Sequence, residues 1–224
     1  MTRITCVSYY WGANEFSRLA DNLKGDCGTH KVKCCLVHKR WKKTYQEGIN
    51  YKPSFILEML EKYNSGVVYL DVDMKLHSYP KLFENIHDND VMLLNWNYDR
   101  RVSNGVIDPC TLETSGGMMY FNNTPQAKKL LKLWQFEINN NPMMADDRIL
   151  SITIQKYGAI QWCRFYWLPI EYFYIPEYYK HLKLKPVISH SRKLTPESNQ
   201  SRVPKEYKIV KPVNKPYHVY SQDL

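Results

Sequence analysis

Residues 67–73 read VVYLDVD and follow directly on Asn64-Ser65-Gly66. Val67, Val68, Tyr69 and Leu70 are β-branched, aromatic or aliphatic, and the preceding triplet is a turn signal. A short continuous apolar run bounded in this way predicts a strand buried on both faces of a parallel sheet. Asp71 and Asp73 come at its C-terminal end, where open α/β sheets bind their ligands. In extended chain the two carboxylates point to the same side, about 6–7 Å apart. Two like charges at that spacing are costly unless a cation neutralises them. A hard divalent ion carrying substrate phosphates meets the need, because Mn²⁺ or Mg²⁺ takes one or two carboxylates together with phosphate oxygens.

On either side of this strand the pattern alternates. Residues 4–9 read as a first strand and 15–22 as a helix, with Phe16, Leu19 and Leu23 at helical spacing and Gly25 and Gly28 closing it. Residues 32–37 read as a second strand, and the polar, non-periodic stretch 39–51 as a loop. Pro53 suits the first turn of a helix, along which Phe55, Ile56, Met59, Leu60 and Tyr63 form one apolar stripe. Downstream come a short helix at 80–86, a strand at 91–95 and a long surface loop at 97–114. A strand at 116–121 then leads to a helix capped by Thr124 and opened by Pro125. A helix over 145–157 ends at Gly158, and 160–162 and 166–168 read as short strands. Such alternation predicts an α/β sandwich around a mostly parallel sheet. One domain is expected over 1–194. From 195 the composition shifts to Pro, Lys, Ser and Asn, which reads as a basic tail or linker, with room for further domains beyond it.

The 224 residues are 44 % apolar and 24 % charged, an ordinary balance for a globular protein. No stretch approaches the roughly 18–20 apolar residues of a membrane span. The first residues, MTRITCVSYYW, lack the apolar core and small-residue cleavage site of a secretory leader. Six cysteines with no CxxC pair then read as reduced thiols in a cytoplasmic protein. The net charge of +9 fits a nucleotide-diphosphate substrate, nucleic acid or an anionic surface equally well.

The run KPSFILEMLEKYNSGVVYLDVDMKLHSYPKLFENI resembles the nucleotide-sugar core of GT-A (Rossmann-like) glycosyltransferases. There a Lys/Arg-Pro helix leads to a strand ending in a DxD, followed by a proline and a short helix. TSGGMMYFNNTPQAKKLLKLW is similar to the acceptor-side strand and helix of those enzymes, ADDRIL to an acidic helix start, and PVISHSRKL to a late strand bearing a histidine. The likeness extends to transferases of large DNA viruses that glycosylate their own capsids, which implies a host-cytoplasmic enzyme.

The resemblance implies a metal-dependent hexosyltransferase acting from a nucleoside-diphosphate sugar, a UDP-sugar in this reading, onto a hydroxyl of a glycan or glycoprotein. Nucleic acid is not expected as a partner. Asp71, Asp73 and His190 are the implied metal ligands, since a neutral imidazole completes a Mn²⁺ sphere without further negative charge. Arg192 and Lys193 sit beside the diphosphate in this reading. Thr5, Val7, Ser8, Tyr9 and Tyr10 are expected around the nucleotide, with Tyr10 or Trp11 stacking on the base and Arg40 and Trp41 flanking it. Lys52 is a candidate phosphate contact, and Asp71 also reaches the donor. Gly116 and Gly117 are expected to let backbone approach the sugar. Asp147, with Asp146 beside it, is the candidate general base of an inverting reaction; in a retaining one these carboxylates bind the donor sugar. The aromatic stretch 162–179 is a candidate acceptor wall. Two other readings stand: a phosphatase built on the DxD, in which Lys75 occupies a position where Thr or Val is usual, and a basic binding module without catalysis.

Overall fold

A computed structural model describes residues 4–12, 15–40, 44–84, 88–97 and 112–190. The VVYL run is strand β3 (Val67–Leu70), reached after β1 (Thr5–Tyr10), α1 (Glu15–Thr29), β2 (Lys33–His38), α2 (Tyr45–Ile49) and α3 (Lys52–Tyr63). After it come β4 (Met74–Leu76), β5 (Val91–Asn95), β6 (Thr114–Phe121), α4 (Pro125–Asn140), α5 (Asp146–Lys156), β7 (Phe165–Trp167), α6 (Pro176–Tyr179) and β8 (Ile188–His190). The main sheet has the order β2-β1-β3-β6-β5-β7, and β4 and β8 form a second, two-stranded sheet. β1 runs parallel to β2 and β3, and β5 parallel to β7. β6 alone runs against its neighbours β3 and β5. The sheet is therefore mixed and mostly parallel, as expected.

β3 lies third in this sheet, and all four of its residues are buried. Its alternation feeds two cores. Val67 and Tyr69 pack with Phe55, Leu130, Trp134 and Ile149 of α3, α4 and α5 on one face. Val68 and Leu70 pack on the other face with Leu23 of α1, Leu76 of β4 and Ile188 of β8. The second layer of the sandwich is thus one helix plus the small sheet. Among the described residues no helix is long and apolar enough to cross a membrane. The five described cysteines are free thiols.

Several local expectations differ. Stretch 39–51 is not all loop: Thr44 caps α2, its side chain accepting from Glu47 N while the Glu47 side chain accepts from Thr44 N. That reciprocal pair satisfies two otherwise orphaned amides. Gly25 and Gly28 do not close α1, which runs through both to Thr29. The turn comes at Lys31, in the left-handed region at φ 56°. Residues 160–162 are not a strand; Ala159–Gln161 form a single 3₁₀ turn. Lys81–Glu84 are likewise a 3₁₀ turn, and β4 was not expected at all. Most of loop 97–114 and the tail from 195 lie outside the described residues.

Candidate functional site

The chain does not stay extended beyond Leu70. Met74 N donates to Asp71 O at 3.1 Å, so Asp71–Val72–Asp73 turns between β3 and β4. The two aspartates consequently have different surroundings rather than one shared side.

Asp71 is held by the protein. Its amide donates to Gly117 O of β6 at 2.8 Å, and Tyr69 Oη donates to its Oδ1 at 2.7 Å. Lys52, the first residue of α3, places Nζ 3.2 Å from both Asp71 oxygens. The same ammonium lies 2.9 Å from Asp146 Oδ2 and donates to Gly116 O at 3.1 Å. Its hydrogen bonds go to Asp71 Oδ2 and Gly116 O, and Asp146 completes its surroundings as an ion pair. Lys52 was expected as a phosphate contact; in the structure its ammonium is the shared cation between Asp71 and Asp146. Burial would lower the Lys52 pKa, but Asp146 and Asp71 outweigh it and hold the ammonium well above its ordinary value. Burial raises the Asp71 carboxyl, with Lys52 opposing.

Asp73 faces outward and keeps 37 % of its side chain exposed. Its neighbour Met74 pairs with His190 in the antiparallel β4–β8 ladder, which brings His190 Nε2 to 3.1 Å from Asp73 Oδ2. Phe173 stacks on the imidazole at 5.5 Å and 16°. Burial would raise the Asp73 carboxyl, but the His190 hydrogen bond and charge hold it below the usual range. Burial would lower His190, but Asp73 and then Asp71 raise it.

The N-terminal turn of α5 supplies the third side. Trp134 Nε1 donates to Asp146 O at 3.0 Å, and Thr114 at the start of β6 donates through Oγ1 to Asp147 O at 3.3 Å. Burial and the adjacent Asp146 charge push the Asp147 carboxyl up to about 6, with Lys52 opposing. The glycines of β6 make this assembly fit. A Cβ on Gly116 would lie 2.9 Å from Asp146 Oδ2, and one on Gly117 would lie 2.9 Å from Phe173 Cε2. Their bareness clears space for the protein's own Asp146 and Phe173 side chains, beside the approach to the sugar that was expected of them.

These groups line one cleft of about 230 Å³. Of the residues expected around the nucleotide, Tyr9, Tyr10 and Trp11 line it. Thr5, Val7 and Ser8 lie upstream within β1, buried in the sheet rather than among the lining residues. Arg40 is exposed and not among the lining residues. Trp41, Arg192 and Lys193 lie outside the described residues. The aromatic stretch 162–179 is mostly core: Tyr172, Phe173, Tyr174 and Tyr179 are all buried, and only Phe173 and Ile175 of it reach the cleft. Sequence reading missed Phe16, Tyr45, Tyr69 and Trp96, which also line it. The Thr44-x-x-Glu47 box was the available signal for Tyr45, since it announces α2.

The donor set accommodates a divalent ion in part. Asp73 Oδ2 and His190 Nε2, now joined by a 3.1 Å hydrogen bond, are a carboxylate and an imidazole, donor types that would suit Mn²⁺ if the imidazole gave up its proton. Among the described residues no three His, Cys, Asp or Glu side chains form a metal-holding group. Such an ion would draw its remaining ligands from substrate and water. Asp71 is turned toward Lys52 and Tyr69 instead of sharing this position.

A family model described as nucleotide-diphospho-sugar transferase matches residues 29–207. No curated protein sequence matches the chain. Among solved structures, a glycosyltransferase involved in the glycosylation of the major capsid of PBCV-1 superposes with a TM-score of 0.63 at 13 % identity, over 89 % of this chain and 97 % of that one. The apo structure of the bifunctional glycosyltransferase WbbM superposes with a TM-score of 0.55 at 11 % identity, over 84 % of this chain and 45 % of that one. At such identities the likeness is one of fold.

Proposed function

Because the chain belongs to the nucleotide-diphospho-sugar transferase family and is a glycosyltransferase, we propose that it transfers a hexose from a UDP-sugar to a hydroxyl of a glycan or glycoprotein with the help of Mn²⁺ or Mg²⁺. Family membership sets aside the phosphatase and the non-catalytic binding module. The observation that carries the finer reading is the division of acidic labour in the cleft. Asp73 and His190 stand 3.1 Å apart with the Asp73 side chain 37 % exposed, while Asp71 and Asp146 share the buried Lys52 ammonium.

In this reading Asp73 and His190 hold the divalent ion. Once bound, the ion offsets negative charge on the departing diphosphate. Asp147 takes the proton of the acceptor hydroxyl. A general base works best with a pKa near the operating pH, and burial beside Asp146 brings Asp147 to about 6. Lys52 and Tyr69 fix the orientation of Asp71 at the wall of the donor cleft. An acid-base role for Asp147 implies inversion at the anomeric carbon.

The test is calorimetric titration of UDP and UDP-glucose with Mn²⁺ and with EDTA, on wild type and Asp73→Ala. Binding that needs both the ion and Asp73 is the expected result. No heat from UDP-, GDP- or TDP-ligands under any condition would sink the donor site.

A further inference from the structure

Gly48 is the fourth of the five residues of α2 and is buried. A glycine in a helix costs about 1 kcal/mol relative to alanine, and its φ is not in the left-handed region. Backbone conformation therefore does not ask for it. Space does. A Cβ at this position would lie 2.1 Å from Trp11 Cζ2, 2.4 Å from Cη2 and 2.5 Å from Cε2. The six-membered ring of the indole rests directly on the Gly48 backbone.

Trp11 has little freedom to yield. Tyr9 stacks near it at 5.9 Å and 23°, Phe16 at 5.7 Å and 23°, and Tyr45 leans on it at 6.3 Å and 50°. All four rings line the cleft. The helix beneath them is anchored at both ends of the site. Tyr9 Oη donates to Gly48 O at 2.7 Å. On its other side Gln46 Nε2 donates to Met144 O at 2.8 Å, and Asn50 Nδ2 to Pro142 O at 2.8 Å. The 142–144 segment leads into Asp146 and Asp147. A ring displaced from Gly48 is thus blocked by Tyr9, Phe16 and Tyr45 on its flanks. Trp11 itself lines the cleft, so displacement on that side brings the ring into it.

We infer that Gly48 is a positioning residue for donor binding: its missing side chain seats Trp11 against α2 and keeps that ring out of the space the nucleotide occupies. The inference rests on the reading of the cleft as the nucleotide-sugar site. It adds a residue that touches no ligand yet sets the width of the aromatic wall.

The test combines packing and binding. Protein labelled with 5-fluorotryptophan contains six indoles, and the ¹⁹F resonance missing from Trp11→Leu identifies Trp11. Gly48→Ala is expected to move that resonance and leave the other five in place. It should weaken UDP binding with Mn²⁺ at least tenfold, with melting temperature followed alongside. The double variant Trp11→Leu/Gly48→Ala should bind UDP as Trp11→Leu alone does, because the smaller side chain clears the Cβ. An unmoved Trp11 resonance overturns the proposal, as does unchanged UDP affinity with the resonance moved. Should Gly48→Ala fail to fold, the double variant must fold and bind like Trp11→Leu; if it also fails, the glycine does not serve Trp11 and the proposal falls. A wild type that binds no UDP sinks the donor reading and this proposal together. Binding by wild type with Gly48→Ala unaffected sinks this one alone.

Discussion

Lys52 Nζ lies 2.9 Å from Asp146 Oδ2, joining the first residue of α3 to the first residue of α5 across 94 residues of sequence (146 − 52). The same ammonium reaches both oxygens of Asp71, so one buried cation organises the end of β3 and the start of the acidic helix. The lysine and Asp146 side chains are 6 % and 9 % exposed. Removing a partner from so buried a pair leaves an uncompensated charge.

Lys52→Met is therefore expected to cost about 3–5 kcal/mol of unfolding free energy. Denaturant titration at neutral pH measures it. Lys52→Met/Asp146→Asn should recover part of the loss, because it removes one of the stranded carboxylates. A single variant as stable as wild type would show that the cluster is not held by charge.

The activity of the enzyme should fall as pH drops through about 6, the value to which burial and Asp146 raise the Asp147 carboxyl. Below that pH the base is protonated, and kcat/KM should lose about tenfold per unit. Asp147→Asn should abolish this limb along with most of the rate. The stability effect has the opposite sense. A carboxyl raised in the folded state binds its proton more tightly than in the unfolded chain, so it favours folding at low pH and loses that contribution as pH rises through about 6. Asp147→Asn should then be more stable than wild type at pH 8 and show no such gain at pH 3.

The Asp73–His190 pair has a window of its own. Asp73 is held below its ordinary 3.8, and His190 above its ordinary 6.5. The depressed carboxyl contributes stability above about 3.8 that is lost on acidification, and the raised imidazole contributes stability that is lost as pH rises through its folded value. In metal-free protein the difference between wild type and Asp73→Asn should be largest between the ordinary carboxyl and imidazole values, 3.8 and 6.5, and shrink as pH rises above the raised His190 value. An ion at this position must displace the His190 proton. Mn²⁺ affinity measured with UDP should accordingly rise with pH until the raised His190 has lost its proton, with proton release visible as a dependence of heat on buffer.

Two kinds of glycine should respond in opposite ways. A Cβ on Gly25 meets nothing within 4 Å, and the residue lies inside α1. Gly25→Ala should stabilise the protein by about 0.5–1 kcal/mol without touching activity. Gly116→Ala drives a methyl to 2.9 Å from Asp146 Oδ2 and 3.3 Å from Asp147 Cβ. It should lower kcat by tenfold or more while thermal unfolding moves less than for Lys52→Met. Equal effects at the two glycines would remove the case for a space requirement at Gly116.

Local chemistry carried much of this molecule in one dimension. The VVYL run, its turn signal and its full burial go together because a two-faced strand needs only its own apolar residues to be recognised. Thr124 and Pro125 begin α4 where expected, because capping involves atoms three residues apart. The Thr44–Glu47 box has the same local legibility, although its polar, non-periodic neighbourhood reads as loop. Asp71, Asp73, Gly116, Gly117, Asp146, Asp147 and His190 could all be named in advance, and the structure gathers them in one cleft. What each does there was not written locally. Asp73 meets His190 only because β4 and β8 pair across 117 residues. Lys52 becomes an internal cation, and the two β6 glycines become clearance for Asp146 and Phe173, only because α3, β6 and α5 converge on the end of β3. Sequence patterns report forces that act over a few residues. Which charges meet depends on strand order, and burial by the whole fold then decides which carboxylate is neutralised and which stays open.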